Sequence, residues 1–171
     1  MNQNIILIPP ENYNFYLQSI QENDLENLRI WKNNHRASFF YKDIISPEQQ
    51  LIWYQNYLKR ETDYMFVLKD LSGNPVGCLG FRVLDNNIDL YNIIRGDKSA
   101  FHVSMKDAMH VMLNYIKEIY NFPIKCDVLK DNPAVNWYQK CGFVISQEID
   151  YYIMTIDSSY VPEIKLTIEE A

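Results

Sequence analysis

The sequence has no long hydrophobic run, no excess of basic residues and no paired cysteines, and each absence excludes a class of protein. No segment approaches the roughly 20 apolar residues that a transmembrane helix requires. The 16 lysines and arginines are outnumbered by 22 aspartates and glutamates, which disfavours a nucleic-acid or anionic-membrane partner because both attract clustered positive charge. The first residues, MNQNIILIPPENY, lack the basic region of a secretory signal, so a cytoplasmic location is predicted.

Cysteine and histidine are too few and too scattered for a disulfide framework or a metal site. The three cysteines form no Cys-x-x-Cys pair, which predicts free and mostly buried thiols. The three histidines are equally dispersed, so we expect no metal. These residues are Cys78, Cys126, Cys141, His35, His102 and His110.

Composition predicts one globular domain over residues 1–171. The hydrophobic fraction is 47% and the charged fraction 22%, values typical of a folded protein. A chain of 171 residues is long enough to bury a core without disulfides or metals. No internal repeat, low-complexity stretch or Gly/Ser linker divides it.

The N-terminal part predicts one strand followed by two helices. Residues 15–21 alternate as a strand does, and Asn23 or Asp24 caps a helix that carries apolar residues at helical spacing. A second helix begins at the SPEQ segment, residues 46–49, which combines a serine cap, a proline at the first helical position and a glutamine that completes a capping box.

The period of the pattern then changes from helical to alternating. Residues 64–69, 76–84 and 88–94 predict three strands, separated by the turns Ser72-Gly73-Asn74 and Asn86-Asn87. Consecutive hairpins of this kind predict an antiparallel meander.

The C-terminal part predicts a helix, a strand, a helix and a strand pair. Residues 104–120 carry an apolar stripe that we interpret as core, and residues 125–129 form a short strand. Asn132 caps the last helix, with Pro133 at its first position, and Gly142 ends it. The last two strands are residues 143–148 and 151–156. The long crossover before residue 125 predicts a parallel pair within a mixed sheet.

This element order, together with the segment DNPAVNWYQKCGF, resembles the GCN5-related N-acetyltransferases (GNATs) from about residue 15 to residue 156. The most specific residues are Asn132, Ala134, Trp137, Tyr138 and the Cys141-Gly142-Phe143 segment. The resemblance implies a three-layer α/β fold, with a central mixed twisted sheet of about six to seven strands flanked by helices. The early helices look like the branch that acts on nucleotide-linked amino sugars or protein N-termini.

The resemblance also implies the chemistry and the donor site. Acetyl-CoA is the implied co-substrate, and Tyr138 is implied to protonate the departing CoA thiolate. Asn132 is implied to bind the pantetheine arm, while the backbones of Ile93 and Ile94 pair with its amides.

The phosphate loop departs from the GNAT pattern. Phe101 and Val103 stand where the family has glycines, and only the Arg95-Gly96 pair remains, several residues early. Glycine lets a backbone approach a pyrophosphate closely, and other residues narrow the allowed conformations. Five residues near this loop are still candidates to contact phosphate through main-chain amides or positive charge: Arg95, Lys98, His102, Val103 and Ser104.

Several groups are candidates for the general base that deprotonates the acceptor amine. Asp89 lies on the strand that leads to the parallel pair, Glu148 lies on the strand after the last helix, and His35 lies in a loop expected to overhang the acceptor. A bound water held by such groups is a further alternative. The aromatic residues between 31 and 53 either form an acceptor wall or pack the helices.

Three functions are therefore open. The first is a small-molecule N-acetyltransferase acting on a primary amine, with a nucleotide-linked amino sugar as the favoured acceptor. The second is an acetyltransferase for protein N-termini or lysines, and the third a non-catalytic binding domain on the same fold. A homodimer formed by the last two strands is a further expectation.

Overall fold

The computed structural model describes residues 4–171 as one nine-stranded sheet with four α-helices. The strands are β1 (Ile5–Ile8), β2 (Phe15–Ser19), β3 (Asp63–Asp70), β4 (Pro75–Val83), β5 (Ile88–Arg95), β6 (Ile124–Val128), β7 (Val144–Glu148), β8 (Tyr152–Ile156) and β9 (Thr167–Glu170). The helices are α1 (Leu25–Asn34), α2 (Pro47–Tyr57), α3 (Met105–Ile119) and α4 (Val135–Lys140).

The sheet has the order β7-β8-β6-β5-β4-β3-β2-β1-β9. All neighbours are antiparallel except β5 and β6, which run parallel. Their pairing is short: Ile88 is opposite Ile124 and Asp89 is opposite Lys125, and no further residues pair. The predicted mixed sheet with a central parallel pair is confirmed, and the two strands separate after it.

The sheet is larger than the predicted six to seven strands because two short strands extend one edge. β1 and β9 have four residues each and pair with each other. All four residues of β9 are exposed, so its sequence carries no alternation between buried and exposed positions. Pairing with β1 alone creates this strand, which explains why local sequence did not predict it.

Helices cover both faces of the sheet and complete three layers. On one face, α3 packs its apolar stripe into the larger core cluster, with Ser104 capping the helix by accepting from the Asp107 N–H. On the other face, α1 and α2 pack through Leu28, Trp31 and Tyr57 into a second cluster. The capping box of Ser46 and Gln49 forms as predicted at the start of α2.

The last helix begins later than predicted. Asn132 does not cap it: its Oδ1 accepts from the Ala134 N–H at 2.9 Å, and Ala134 is the residue that precedes the helix. The Asn-Pro turn therefore stands as a separate feature before α4. Gly142 follows the helix with a φ of 109°, the predicted stop. All three cysteines are buried and free, as predicted. Across residues 4–171, the structure has no helix with the length and apolarity of a membrane span.

Candidate active site

A β-bulge at Asn92 and Ile93 interrupts β5 beyond the parallel pair. Gly80 and Cys78 on β4 lie opposite Tyr91 and Ile94 on β5, so one residue of β4 faces two of β5. Asn92 adopts a φ of 50°, which asparagine tolerates better than most side chains. Tyr91 and Ile94 consequently pack with the α1–α2 cluster although they are three residues apart. The bulge leaves part of the strand backbone outside the regular ladder.

Three cavities meet at this bulge. The α4 cavity, about 430 Å³, lies between the end of β5, the start of α3 and α4. The α1–α2 cavity, about 360 Å³, lies beneath the two N-terminal helices. The central cavity, about 300 Å³, lies where β5 and β6 separate. Asn92, Ile93 and Ile94 are each shared by two of the three cavities, which makes this segment the point where the cavities meet.

The α4 cavity brings together most of the residues that the sequence singled out. They come from α1's C-terminal end, β5, the loop before α3, the turn before α4 and α4 itself: His35, Ile93, Ile94, Arg95, Lys98, Ser104, Asn132 and Tyr138. Asp89 lies instead in the central cavity, again with Tyr138. His102 is exposed and Val103 is fully buried at 0%, so the side chains of these two line none of the three cavities.

Tyr138 lines both the α4 cavity and the central cavity. It is 8% exposed and is fixed edge-on between Trp137 and Phe143, with ring centroids 5.1 and 5.8 Å away. Burial raises the pKa of its hydroxyl well above the ordinary value, so the phenol keeps its proton at neutral pH. No described residue hydrogen-bonds to that hydroxyl, which leaves it available to a ligand.

Asn132 is held at the mouth of the same cavity by two contacts. Besides accepting from Ala134, it donates from Nδ2 to the Ser38 carbonyl at 3.3 Å. Ser38 lies in the short turn after α1, so this bond joins the N-terminal helices to the turn before α4. The side chain is thus oriented before any ligand arrives.

Arg95 supports the loop that lacks the expected glycines. Its guanidinium donates to the Val103 carbonyl at 2.7 Å and also to the Ala100 carbonyl. At the start of the loop, the Gly96 N–H donates to the Val76 carbonyl at 2.8 Å. The side chain of Phe101 is 86% exposed and extends into solvent. Residue 101 therefore does not need a glycine-like backbone conformation to avoid a bound ligand. Arg95 therefore fixes the loop by donating to two of the loop's carbonyls, a role that sequence reasoning did not assign to this residue.

Two cations that the sequence analysis missed line the α1–α2 cavity. Lys32 and Arg82 reach it from α1 and β4, alongside aromatic residues such as Trp53 and Tyr91. Lys32 Nζ donates to Asn92 Oδ1 at 2.5 Å and lies 3.4 Å from the Phe39 ring centroid. Burial lowers the pKa of Lys32 to about 8. No local pattern marks these two residues, since only the fold brings them together.

The candidate bases have different surroundings. Asp89 is 18% exposed and lies 3.5 Å from Lys125 and 3.9 Å from Arg82; burial raises the pKa of its carboxyl. His35 lies at the end of α1 and lines the α4 cavity. Glu148 is exposed and pairs with Lys130 at 3.0 Å, away from all three cavities.

Comparisons with known proteins identify the fold. No protein-family model and no curated protein matches this sequence. Among solved structures, it is similar to a spermidine N-acetyltransferase from Vibrio cholerae in complex with CoA and spermine, at 20% identity, 87% and 99% coverage of the two chains and a TM-score of 0.75. It is also similar to FdhC, a nucleotide-linked sugar GNAT, at 18% identity, 94% and 93% coverage and a TM-score of 0.74. The predicted GNAT fold is confirmed.

Proposed function

We propose that this protein is an N-acetyltransferase that transfers the acetyl group of acetyl-CoA to a primary amine of a small molecule. The observation that carries the proposal is the bulge at residues 92–94, where the α4 cavity and the α1–α2 cavity meet. We take the α4 cavity as the donor side and the α1–α2 cavity as the acceptor side. Tyr138 opens onto this junction with a hydroxyl that has no partner among the described residues. A group-transfer enzyme needs this arrangement because its two substrates must touch at one point.

The α4 cavity has the groups that the donor would need. The backbone of Ile93 is available to the pantetheine amides, because the bulge leaves it outside the β4 ladder and β5 and β6 have already separated, whereas Ile94 is opposite Cys78 on β4. Asn132 lies at the mouth of the cavity, and Lys98 and Lys106 supply positive charge beside the start of α3. The main-chain N–H groups at that helix start favour a phosphate. The backbone of Ser104 and the neighbouring His102 amide belong to the same stretch, whereas the Val103 N–H already donates to the Ala100 carbonyl at 3.1 Å.

The reaction needs one bond to form and one to break. The neutral amine attacks the thioester carbonyl carbon, and a backbone N–H at the bulge stabilises the charge on the carbonyl oxygen. The carbon–sulfur bond then breaks, and Tyr138 gives its proton to the sulfur. With ordinary pKa values near 10 and 8.5, that transfer is uphill by about 2 kcal/mol. Burial raises the pKa of Tyr138 well above its ordinary value, so the transfer depends on a thiolate desolvated in the same cavity, whose own pKa burial also raises.

Asp89 is the best placed of the three candidate bases. It shares the central cavity with Tyr138 and with the residues that face the acceptor side, whereas His35 lies on the donor side. Its raised pKa makes the carboxylate a stronger base than an ordinary aspartate. We assign to it the proton that the attacking nitrogen loses.

A nucleotide-linked amino sugar is the acceptor that we favour. The similarity to FdhC supports this choice, as does an α1–α2 cavity with aromatic walls. A protein substrate is less well served, because the loop carrying Phe39, Phe40 and Tyr41 covers this side, and Phe40 packs edge-on against Tyr151 at 5.1 Å.

A calorimetric titration with acetyl-CoA and its desulfo analogue tests the donor site first. We expect micromolar binding, which Tyr138→Phe leaves unchanged. Acetyl transfer to UDP-linked amino sugars, followed by release of the CoA thiol, should fall at least a hundredfold in Tyr138→Phe. Absence of donor binding at millimolar concentration would contradict the proposal. Tight donor binding without transfer to any amine would favour the non-catalytic binding domain.

We also propose a cytoplasmic homodimer. β7 lies at one end of the sheet, and all five of its residues are exposed. An edge strand whose one charged residue is its last, Glu148, can pair with a second copy. Sedimentation velocity should give a dimer, and Ile145→Lys should convert it to a monomer. A monomeric wild-type protein would contradict this expectation.

A further inference from the structure

The geometry points to an anion-binding subsite in the α1–α2 cavity: we propose that Lys32 and Arg82 bind a negatively charged group of the acceptor. The inference rests on the proposed function only in naming the ligand as the acceptor. The cavity, its two cations and their partners belong to the structure whatever reaction takes place there.

Lys32 is a half-buried amine whose partners are all uncharged. Its Nζ donates to the amide oxygen of Asn92 and lies over the ring of Phe39. Within residues 4–171, no carboxylate lies within ion-pair distance of it. An ammonium that is partly removed from water and lacks a counter-charge is costly, so a ligand that brings the missing negative charge gains more here than at the open surface.

Arg82 is also incompletely paired. Its Nε is buried and has no hydrogen-bond partner, and its guanidinium stacks 3.9 Å from the ring centroid of Tyr91. Asp89 lies 3.9 Å from that Nε, beyond hydrogen-bond distance, and is closer to Lys125. Stacking on an aromatic ring orients a guanidinium while leaving its in-plane donors available.

The local charge balance is positive although the whole chain carries a charge of −6. Among the described residues that line the α1–α2 cavity, none is an aspartate or glutamate. Three carboxylates lie close to it. Asp89 and Asp127, in the central cavity, both contact Lys125, and Asp63, opposite Arg82 on β3, accepts from the Tyr91 hydroxyl and pairs with Arg60. With Lys32, Arg82, Lys125 and Arg60, four cations therefore face three carboxylates, which leaves one positive charge unneutralised.

The unneutralised positive charge favours acceptors that carry a negative group over acceptors that are only cationic. A polyamine would place further positive charge beside Lys32 and Arg82, so this cavity opposes the kind of ligand that the Vibrio cholerae structure holds. An amine that also carries a phosphate or a carboxylate fits. A nucleotide-linked amino sugar supplies the first and an amino acid the second, and both share the chemistry of an anion held by a lysine and an arginine.

The test is a titration of anions into the protein saturated with CoA, which keeps a nucleotide probe out of the donor site. The probes are UDP for the phosphate source, L-glutamate for the carboxylate source and spermidine as the cationic comparison. Each is titrated into the wild type, Lys32→Met and Arg82→Met. Lys59→Met is the matched control, because Lys59 is exposed and lies outside all three cavities.

We expect UDP or glutamate to bind the wild type, and each of the two variants to bind at least tenfold more weakly. Lys59→Met should bind as the wild type does, and spermidine should bind none of the proteins. Lys32→Arg and Arg82→Lys keep the charge and should retain most of the affinity, which separates lost charge from lost folding. Binding of UDP alone identifies a nucleotide acceptor, and binding of glutamate alone a carboxylate one.

The inference is overturned if neither anion binds, if the charge-removing variants bind as the wild type does, or if spermidine binds. These outcomes are independent of the proposed function, which donor binding and acetyl transfer test separately. Should CoA itself fail to bind, the same titrations on the CoA-free protein still compare wild type with Lys32→Met.

Discussion

Gly96 lies directly against the indole of Trp31, so that a Cβ built on residue 96 would overlap three atoms of that ring. The contact fixes the separation between α1 and the end of β5. Because Lys32 follows Trp31 on α1, the same contact also sets the position of one wall of the α1–α2 cavity. The absence of a side chain at Gly96 therefore sets how closely α1 approaches the end of β5, and with it the position of one wall of the α1–α2 cavity.

Gly96→Ala should destabilise the protein by about 3 kcal/mol, the upper part of the range for overpacking a filled site. Gly73→Ala is the matched control: residue 73 has a φ of 85°, and its Cβ would meet only the Tyr16 hydroxyl, at an ordinary contact distance of 3.7 Å, so only conformational strain of about 1 kcal/mol is expected. Urea unfolding measures both losses. Tryptophan fluorescence of the folded protein should change in Gly96→Ala alone, and equal losses without that change would refute the steric explanation.

Arg95→Ala should weaken acetyl-CoA binding at least tenfold, about 1.4 kcal/mol. Without the guanidinium, the carbonyls of Ala100 and Val103 lose their donor, and the loop must be ordered when the ligand binds. Calorimetry measures the change. Arg95→Lys distinguishes the causes: a lysine keeps the charge but cannot donate to two carbonyls in the same way, so it should bind weakly too. Full recovery in Arg95→Lys would show that charge alone matters.

Ser46→Ala should lower the free energy of unfolding by about 1 kcal/mol, because Ser46 Oγ accepts from the Gln49 N–H at 3.2 Å at the start of α2. Ser72→Ala, in an exposed turn, should change it by less than about 0.5 kcal/mol. Urea denaturation of the two variants gives the comparison. A loss in Ser72→Ala as large as in Ser46→Ala would mean that the cap is not the cause.

The stability of the wild type should rise with pH relative to Lys32→Met. Burial lowers the pKa of Lys32 to about 8 in the folded protein, whereas the unfolded value is about 10.4. Between these values the unfolded chain binds the extra proton, so raising the pH favours the folded state. From pH 7 to pH 9.5 the wild type should gain about 2 kcal/mol over Lys32→Met.

The groups that face Lys32 do not obscure this measurement. Arg82 keeps its charge throughout, and burial raises the pKa of the Cys78 thiol to about 12; Asn92 and Phe39 do not titrate. Urea unfolding at several pH values supplies the free energies. If the free energies of unfolding of the wild type and Lys32→Met changed with pH in parallel, the lowered pKa of Lys32 would be contradicted.

Local sequence predicted the fold where each element has its own signal. The capping box at residues 46–49 and the apolar stripe of α3 placed their helices, and the Gly142 stop ended α4 correctly. β9 could not be predicted, since its exposed residues become a strand only by pairing with β1. Likewise, an Asn-Pro pair looks the same whether it caps a helix or forms a turn before one, and here the turn is formed.

The candidate site was predictable only in part, for a similar reason. Asn132 and Tyr138 lie within one short segment, and the resemblance of that segment to the GNAT pattern singled out both; they line the same cavity. Lys32 and Arg82 are remote in sequence, and nothing about either residue alone indicates the other. The bulge at Asn92 likewise depends on a register shift between two strands, which a single strand's alternation does not reveal.

The hydrogen bonds of Arg95 affect which side chains the loop before α3 can carry. One guanidinium sets the path of this loop by donating to two of its carbonyls. The loop therefore does not need glycine at fixed positions, and other residues can stand there. Phe101 shows the outcome, with a large side chain at a site where the fold's usual signature has none. In this chain, two hydrogen bonds from Arg95 set the path of a loop that lacks those glycines.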